Sequence, residues 1–150
     1  KDLGWHLEVL VHVDDFEDLR TTMNGMAVDI SFGHLGYMKT DKGIDHPGFQ
    51  DFLNLLRDGK AWAKLTGTYR ITTSLFTPYD DVTPFAQAII EANEDRVLWG
   101  TDWPHPTYKG NMPNAGALFD QLATWAPSEQ SRRRILVENA EAFYGFPPLT

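Results

Sequence analysis

Arg96-Val97-Leu98-Trp99-Gly100-Thr101-Asp102-Trp103-Pro104-His105-Pro106 is the stretch on which the reading of this chain turns. Its first four residues, apolar from Val97 onward and closed by glycine, follow the pattern of a buried strand. A carboxylate, Asp102, follows just past the strand's end. Upstream, Phe85, Ala88, Ile89 and Ala92 stand at i, i+3, i+4 and i+7, so one face of a helix is apolar. Thr83-Pro84 reads as an N-cap followed by proline at the first helical position.

The same unit recurs towards the N-terminus. Ala61 to Thr66 reads as a strand. Before it, Phe49, Phe52, Leu53 and Leu56 give a helix that Pro47 opens. Ala27 to Phe32 and His6 to His12 read as two further strands, with a polar helix over Asp14 to Thr22 between them. Downstream, helices are expected near Ala115 to Trp125 and over Glu129 to Tyr144, the last stopped by Gly145 and Pro147. The order β-α-β-α-β-α-β-α-α implies right-handed crossovers and a parallel sheet covered by helices. Either an open doubly wound sheet or four units of an eight-unit barrel satisfies it. A full barrel takes roughly 250 residues, and this chain has 150. With Lys1 in place of an initiating Met, the expectation is one domain over residues 1–150, cut from something longer.

Composition narrows the function classes. Hydrophobic residues make up 42% of the chain and aromatics 13%, enough for a core, and the Trp and Phe stripes are read as part of it. Thirteen Lys and Arg against 21 Asp and Glu leave a net charge of −8, which argues against nucleic-acid and anionic-membrane partners. The absence of Cys excludes disulfides and thiolate metal sites, and no apolar run approaches the ~20 residues of a membrane span. A cytoplasmic protein is expected. No GxSxG, P-loop, HExxH or GxGxxG occurs, and Arg132-Arg133-Arg134 reads as a solvated helix face.

In parallel α/β architectures the reactive groups gather beyond the C-terminal strand ends. Those ends here offer His12, then Gly33-His34-Leu35-Gly36, then Gly67-Thr68-Tyr69-Arg70, then Asp102 and His105. Asp102 suits a general base or metal ligand, or a turn cap before Trp103-Pro104. His34 sits between glycines that let its imidazole approach a ligand, and otherwise bonds a carbonyl. Arg70 suits bidentate capture of a carboxylate, or a plain ion pair. His12 is either a strand-end ligand or a core histidine, and the core reading is preferred. His6 is read as structural, His46 as a helix start, and His105 as a loop-shaping residue or a substrate contact. Lys64, in strand parity with Thr66, points inward to an acid or snorkels outward.

Trp99 to His105 strongly resembles the last-strand signature of the amidohydrolase-2 branch of the amidohydrolase superfamily, closest to the 2-pyrone-4,6-dicarboxylate lactonase group with its sugar-acid and sulfo-lactone members. Gly4-Trp5-His6 is similar to that group's entry to the fifth strand, Gly33-His34-Leu35-Gly36 to its D-H-M-G motif, Trp62 to Arg70 to W-x-K-L-[ST]-G-x-Y-R, and Glu138 to Phe146 to N-P-x-x-L-Y-G-F. The resemblance covers essentially the whole chain. It implies α/β architecture, the C-terminal half (about strands five to eight) of a distorted TIM (β/α)8 barrel, with the N-terminal half and its H-x-H pair absent. It further implies Asp102 as water-activating base, His34 polarising a lactone carbonyl, and Arg70 binding a substrate carboxylate; Tyr69, His12 and His105 are the further candidate substrate contacts at the strand tips. Gly33 stands where the group has Asp, Tyr37 where Arg often follows, and Leu10 where Tyr is usual. These departures point to a lactone other than the pyrone dicarboxylate.

The expected function is hydrolysis of a carboxylated lactone, with a small-molecule carboxylate or lactone as the only partner and homo-oligomers open. No cofactor is required in this reading. The alternatives are a zinc-dependent or other divalent-metal amidohydrolase or decarboxylase, with His34 and Asp102 as ligands, and a lactone isomerase. From another class comes a non-catalytic half-barrel, a binding or remnant domain.

Overall fold

The computed structural model describes residues 2–147. Four strands, β1 (Leu7–Val9), β2 (Ile30–Phe32), β3 (Ala61–Leu65) and β4 (Val97–Trp99), form one sheet in the order β1-β2-β3-β4, all parallel. The order runs without reversal, so the sheet has no topological switch point of the doubly wound kind. Every strand therefore ends on the same rim.

Strand parity separates two faces. Ile30, Phe32, Ala61, Ala63, Leu65 and Val97 are buried on one, where α2 (Pro47–Arg57) and α4 (Thr83–Asn93) pack. Phe32 meets Phe52 at 4.9 Å between ring centroids and Phe49 meets Phe85 at 5.0 Å. The opposite face carries Glu8, Ser31, Trp62, Lys64 and Leu98. Lys64 takes the paired option there and donates to Glu8. Two of the tryptophans, Trp5 and Trp103, stand outside the core at 74% and 77% exposure.

Several elements differ from the sequence reading. The first strand stops at Val9, and His12 precedes a 3-10 turn over Val13–Asp15. The polar helix is shorter, α1 (Leu19–Asn24), because the Asp18 carboxylate caps it by accepting from Thr21 N–H at 2.8 Å. The second strand starts at Ile30. A helical turn, α3 (Thr68–Ile71), follows β3 directly. His46 does cap α2, accepting from Gly48 N–H through Nδ1. Thr83 is not a cap; it lies inside α4, and its Oγ1 accepts from Trp125 Nε1. After α5 (Ala115–Trp125), the closing helix divides into α6 (Glu129–Arg133), a π turn over Arg134–Glu138, and α7 (Asn139–Tyr144). The π turn leads into Asn139, whose buried amide donates to the carbonyls of Glu94 and Val97. Phe143 and Tyr144 then reach the inner face: Phe143 packs on Trp62, and Tyr144 Oη donates to Glu8. Gly145, at φ 71°, ends the helix as expected.

Asp81 secures the loops behind the rim. It accepts from the hydroxyls of Thr40 and Thr72, both at 2.5 Å, and from Thr73 N–H at 2.8 Å. Burial works against its charge, but these hydrogen bonds win and bring its pKa down to about 2. A carboxylate with a lowered folded-state pKa stabilises above its unfolded pKa, and that contribution fades as pH falls through the folded value. Asp81→Ala is therefore expected to cost about 1–3 kcal/mol at pH 7. In denaturant melts, the gap between variant and parent should narrow as pH drops from about 4 towards 2, and a gap independent of pH would contradict the assignment.

Candidate active site

The three tips after β2, β3 and β4 meet at one atom. Asp102 Oδ2 accepts from Tyr69 Oη at 2.5 Å and from Arg70 Nε at 2.9 Å, and lies 3.8 Å from His34 Nε2. Arg70 is fixed at its other end, donating through Nη2 to the Pro106 carbonyl at 2.8 Å. Tyr69 is buried, and the guanidinium of Arg70 lies 5.0 Å from its ring centre. The cleft beside Asp102 has a volume of about 270 Å³ and includes His34, Thr66, Lys64, Glu8 and Leu10 in its walls. Two larger clefts, about 340 and 310 Å³, lie away from the strand tips and hold none of the expected site residues.

His34 is oriented by Thr66, which sequence reasoning did not single out. Thr66 Oγ1 accepts from His34 backbone N–H at 3.3 Å and lies 2.9 Å from His34 Nδ1. The ionised Asp102 carboxylate faces Nε2, which favours the tautomer with the ring proton on Nε2, and in that tautomer the Thr66 hydroxyl donates to Nδ1. The N–H at Nε2 then faces Asp102 and the cleft. Burial disfavours the imidazolium more than Asp102 favours it, and Arg70 adds to the effect, so the His34 pKa is lowered. The ring is neutral at neutral pH. For Asp102, burial opposes ionisation, but the hydrogen bonds from Tyr69 and Arg70 outweigh it and hold the carboxyl below its ordinary value. The arrangement is a neutral imidazole donor beside an ionised carboxylate, with a fixed guanidinium behind it.

Backbone geometry makes these positions. His34, Leu35, Gly36 and Tyr37 all have positive φ, as do Asp102, His105 and Thr107. Such values are uncommon outside glycine. They fold the chain back sharply at both tips and turn His34 and Asp102 towards each other.

Two expected contacts stand elsewhere. His12 is neither a strand end nor a core residue; it is exposed, with its ring edge-on to Tyr37 at 4.5 Å. His105 is buried behind Tyr69 at 5.1 Å, which removes it from the cleft wall, and its Nδ1 has no hydrogen-bond partner. His105 N–H donates to the Asp102 carbonyl, so it shapes the loop. As metal donors the chain offers His34 Nε2 and Asp102, with the Arg70 guanidinium on the same carboxylate oxygen. Among the described residues no group of three or more His, Cys, Asp or Glu is arranged around a common point.

The chain is similar to known proteins over nearly its whole length. The Amidohydro_2 model, described as amidohydrolase, matches residues 1–146. A 4-sulfomuconolactone hydrolase of Hydrogenophaga intermedia is 36% identical over 146 residues, covering 96% of this chain and 48% of that protein. A 2-pyrone-4,6-dicarboxylate hydrolase of Comamonas testosteroni is 33% identical over 150 residues, 95% of this chain and 49% of that protein. Among solved structures, a Pseudomonas putida protein assigned as a 2-pyrone-4,6-dicarboxylic acid hydrolase superposes with a TM-score of 0.81 at 30% identity, over 99% of this chain and 54% of that one. The chain thus spans about half the length of the curated relatives it matches. No helix among the described residues is long and apolar enough to cross a membrane.

Gly67 is the second residue the sequence reading passed over. It has φ 59°, and a Cβ there would lie 2.4 Å from His34 Nδ1. Gly67→Ala is expected to push the ring off Thr66 and out of its buried seat, raising the His34 pKa towards 6.5 in an NMR pH titration. Gly43→Ala is the control for backbone strain, since Gly43 has φ 79° with nothing within 4 Å of the added carbon. An unchanged His34 titration in Gly67→Ala would refute this packing role.

Proposed function

This chain belongs to the Amidohydro_2 amidohydrolase family, and from that premise we propose that the protein hydrolyses a carboxylated lactone, with water attacking the ring carbonyl. The observation that carries the reading is the meeting of Asp102, Arg70 and His34 at one carboxylate oxygen. In this reading residues 1–150 make up the C-terminal half, about strands five to eight, of a (β/α)8 barrel. The unreversed parallel sheet supports that, as does the half-length match to the relatives. The inner face carrying Glu8 and Lys64 becomes barrel interior, and the Asp102 rim its catalytic mouth.

The lactone carbonyl oxygen sits against His34 Nε2–H. A neutral donor held by Thr66 stabilises the oxyanion as it forms, without reorganising at the moment of attack. Asp102, ionised at neutral pH, takes the proton from water; as the oxyanion collapses, the ring C–O bond breaks and the proton held by Asp102 passes to the leaving ring oxygen. Its three contacts fall on Oδ2, so Oδ1 is the oxygen that faces the water. The lowered pKa makes Asp102 a weak base in the resting state. A substrate carboxylate docking at Arg70 offsets the guanidinium's charge and returns basicity to Asp102, so binding and activation are coupled. Tyr69 keeps the carboxylate in place.

In the full-length protein Asp102→Asn keeps the side-chain shape but removes the base. With 4-sulfomuconolactone or 2-pyrone-4,6-dicarboxylate as substrate, kcat should fall by about 10²–10⁴, while circular dichroism matches the parent. A variant that retains the parent kcat ends the base assignment. His34→Gln should lose about 10²–10³ in kcat, with a smaller effect on KM.

A further inference from the structure

Position 33 holds a glycine that the fold does not ask for. Its backbone, at φ −72° and ψ 156°, is open to any residue. A Cβ there would meet Leu10 Cδ1 at 3.6 Å and the Val9 carbonyl oxygen at 3.7 Å, both ordinary van der Waals contacts. Gly36 and Gly67 are different: each has positive φ, and an added Cβ would come within 2.9 Å of Val13 or 2.4 Å of His34. What the missing side chain at position 33 leaves is space in the wall of the catalytic cleft, beside His34. Gly33 N–H donates to the Val9 carbonyl at 3.1 Å, which carries the β1–β2 ladder one step past the strand ends. Strand parity turns Leu10 and Gly33 to the face of Glu8 and Lys64, and the Leu10 isobutyl group borders the gap. Leu10 is exposed there rather than packed in the core.

We infer that Leu10 and Gly33 determine specificity: they form an apolar strip for the hydrocarbon edge of the substrate, and the protein prefers lactones with no hydroxyl on the carbon next to the reacting carbonyl. The inference rests on the lactone reading and narrows its substrate class. With the carbonyl oxygen on His34 Nε2–H and water on Asp102, the adjoining ring carbon falls against the wall next to His34, which Gly33 and Leu10 make up. The polar groups of the other walls are already engaged. Thr66 is committed to His34, and Lys64 donates to both carboxylate oxygens of Glu8. A hydroxyl on that carbon would lose its water against an isobutyl group, whereas a C–H edge gains apolar contact. A side chain at position 33 would take the same space, which accounts for the glycine.

The test uses the full-length protein and two matched substrates, 5-oxotetrahydrofuran-2-carboxylate and its 4-hydroxy derivative, which differ by one hydroxyl beside the carbonyl. The parent should favour the first in kcat/KM by about tenfold or more, and Leu10→Asn, which offers a polar partner at similar size, should bring the ratio to about one. A parent without preference, or a ratio that Leu10→Asn leaves within twofold of the parent's, overturns the strip. Gly33→Ala should keep the parent's thermal melt, because neither φ nor packing resists it, and raise KM for both substrates about tenfold as the methyl group fills the gap. An unchanged KM in Gly33→Ala likewise overturns the proposal. Binding is read without turnover by calorimetric titration of the same two compounds into Asp102→Asn. Equal affinity for the two compounds there overturns the strip. If Leu10→Asn, added to Asp102→Asn, erases a preference for the unhydroxylated lactone while the parent hydrolyses neither compound, the strip stands and the hydrolase reading falls.

Discussion

One oxygen atom, Oδ2 of Asp102, ties together the loops that leave β2, β3 and β4. Its partners come from α3 through Tyr69 and Arg70, and from the turn after β2 through His34. Charge-assisted hydrogen bonds are about twice as strong as neutral ones, and in a partly buried rim they are not dissipated by solvent. Taking the carboxylate away would leave a guanidinium and a buried phenol facing each other without an acceptor. The loop after β4 is held from its far side as well, since Arg70 also donates to the Pro106 carbonyl. The rim therefore behaves as one assembly rather than as three independent loops.

That assembly needs a sheet that delivers its strand ends to one place. An unreversed parallel order does so, and small residues on the covered face of β3, Ala61 and Ala63, let the helices approach closely. The other face carries an internal charge pair, Lys64 with Glu8, backed by the Tyr144 hydroxyl. Burial would lower the Lys64 pKa, yet contacts with Glu8 and Tyr144 raise it overall. The ammonium thus stays charged beneath the cleft that His34 and Asp102 share. Polar residues on this face make sense if it encloses a reaction chamber, and less sense if it were to become an apolar core.

Much of this was legible in the sequence because its signals were local. Hydrophobic periodicity located all four strands and most of the helices, and the residues at the strand tips named His34, Arg70 and Asp102. What escaped depended on contacts distant along the chain. Thr83 looks like a cap by position, but Trp125, 42 residues away, claims its hydroxyl. Gly67 looks like any turn glycine until the His34 ring, 33 positions earlier, is found against it. His12 and His105 stand near the tips in sequence, yet one faces solvent and the other lies behind Tyr69, because the direction of a loop side chain follows φ and ψ that spacing does not encode. Asp81 gave no motif at all. Its five hydroxyl and amide donors become a cluster only after the loops from β2 and α3 fold over the start of α4.

Backbone strain is concentrated at the rim. All six non-glycine residues with positive φ among those described, His34, Leu35, Tyr37, Asp102, His105 and Thr107, lie in the two rim loops after β2 and β4. Each left-handed residue costs on the order of 1 kcal/mol, and such costs persist where surrounding structure over-determines them. The sheet does not need them, because its strands and covering helices are conventional elsewhere. A chain under selection only to fold would be expected to relax these loops or replace the residues with glycine and asparagine, which adopt the same φ more cheaply. Instead the strained positions hold an imidazole and a carboxylate aimed at one point. Stability is given up in the two loops that set the direction of these two side chains.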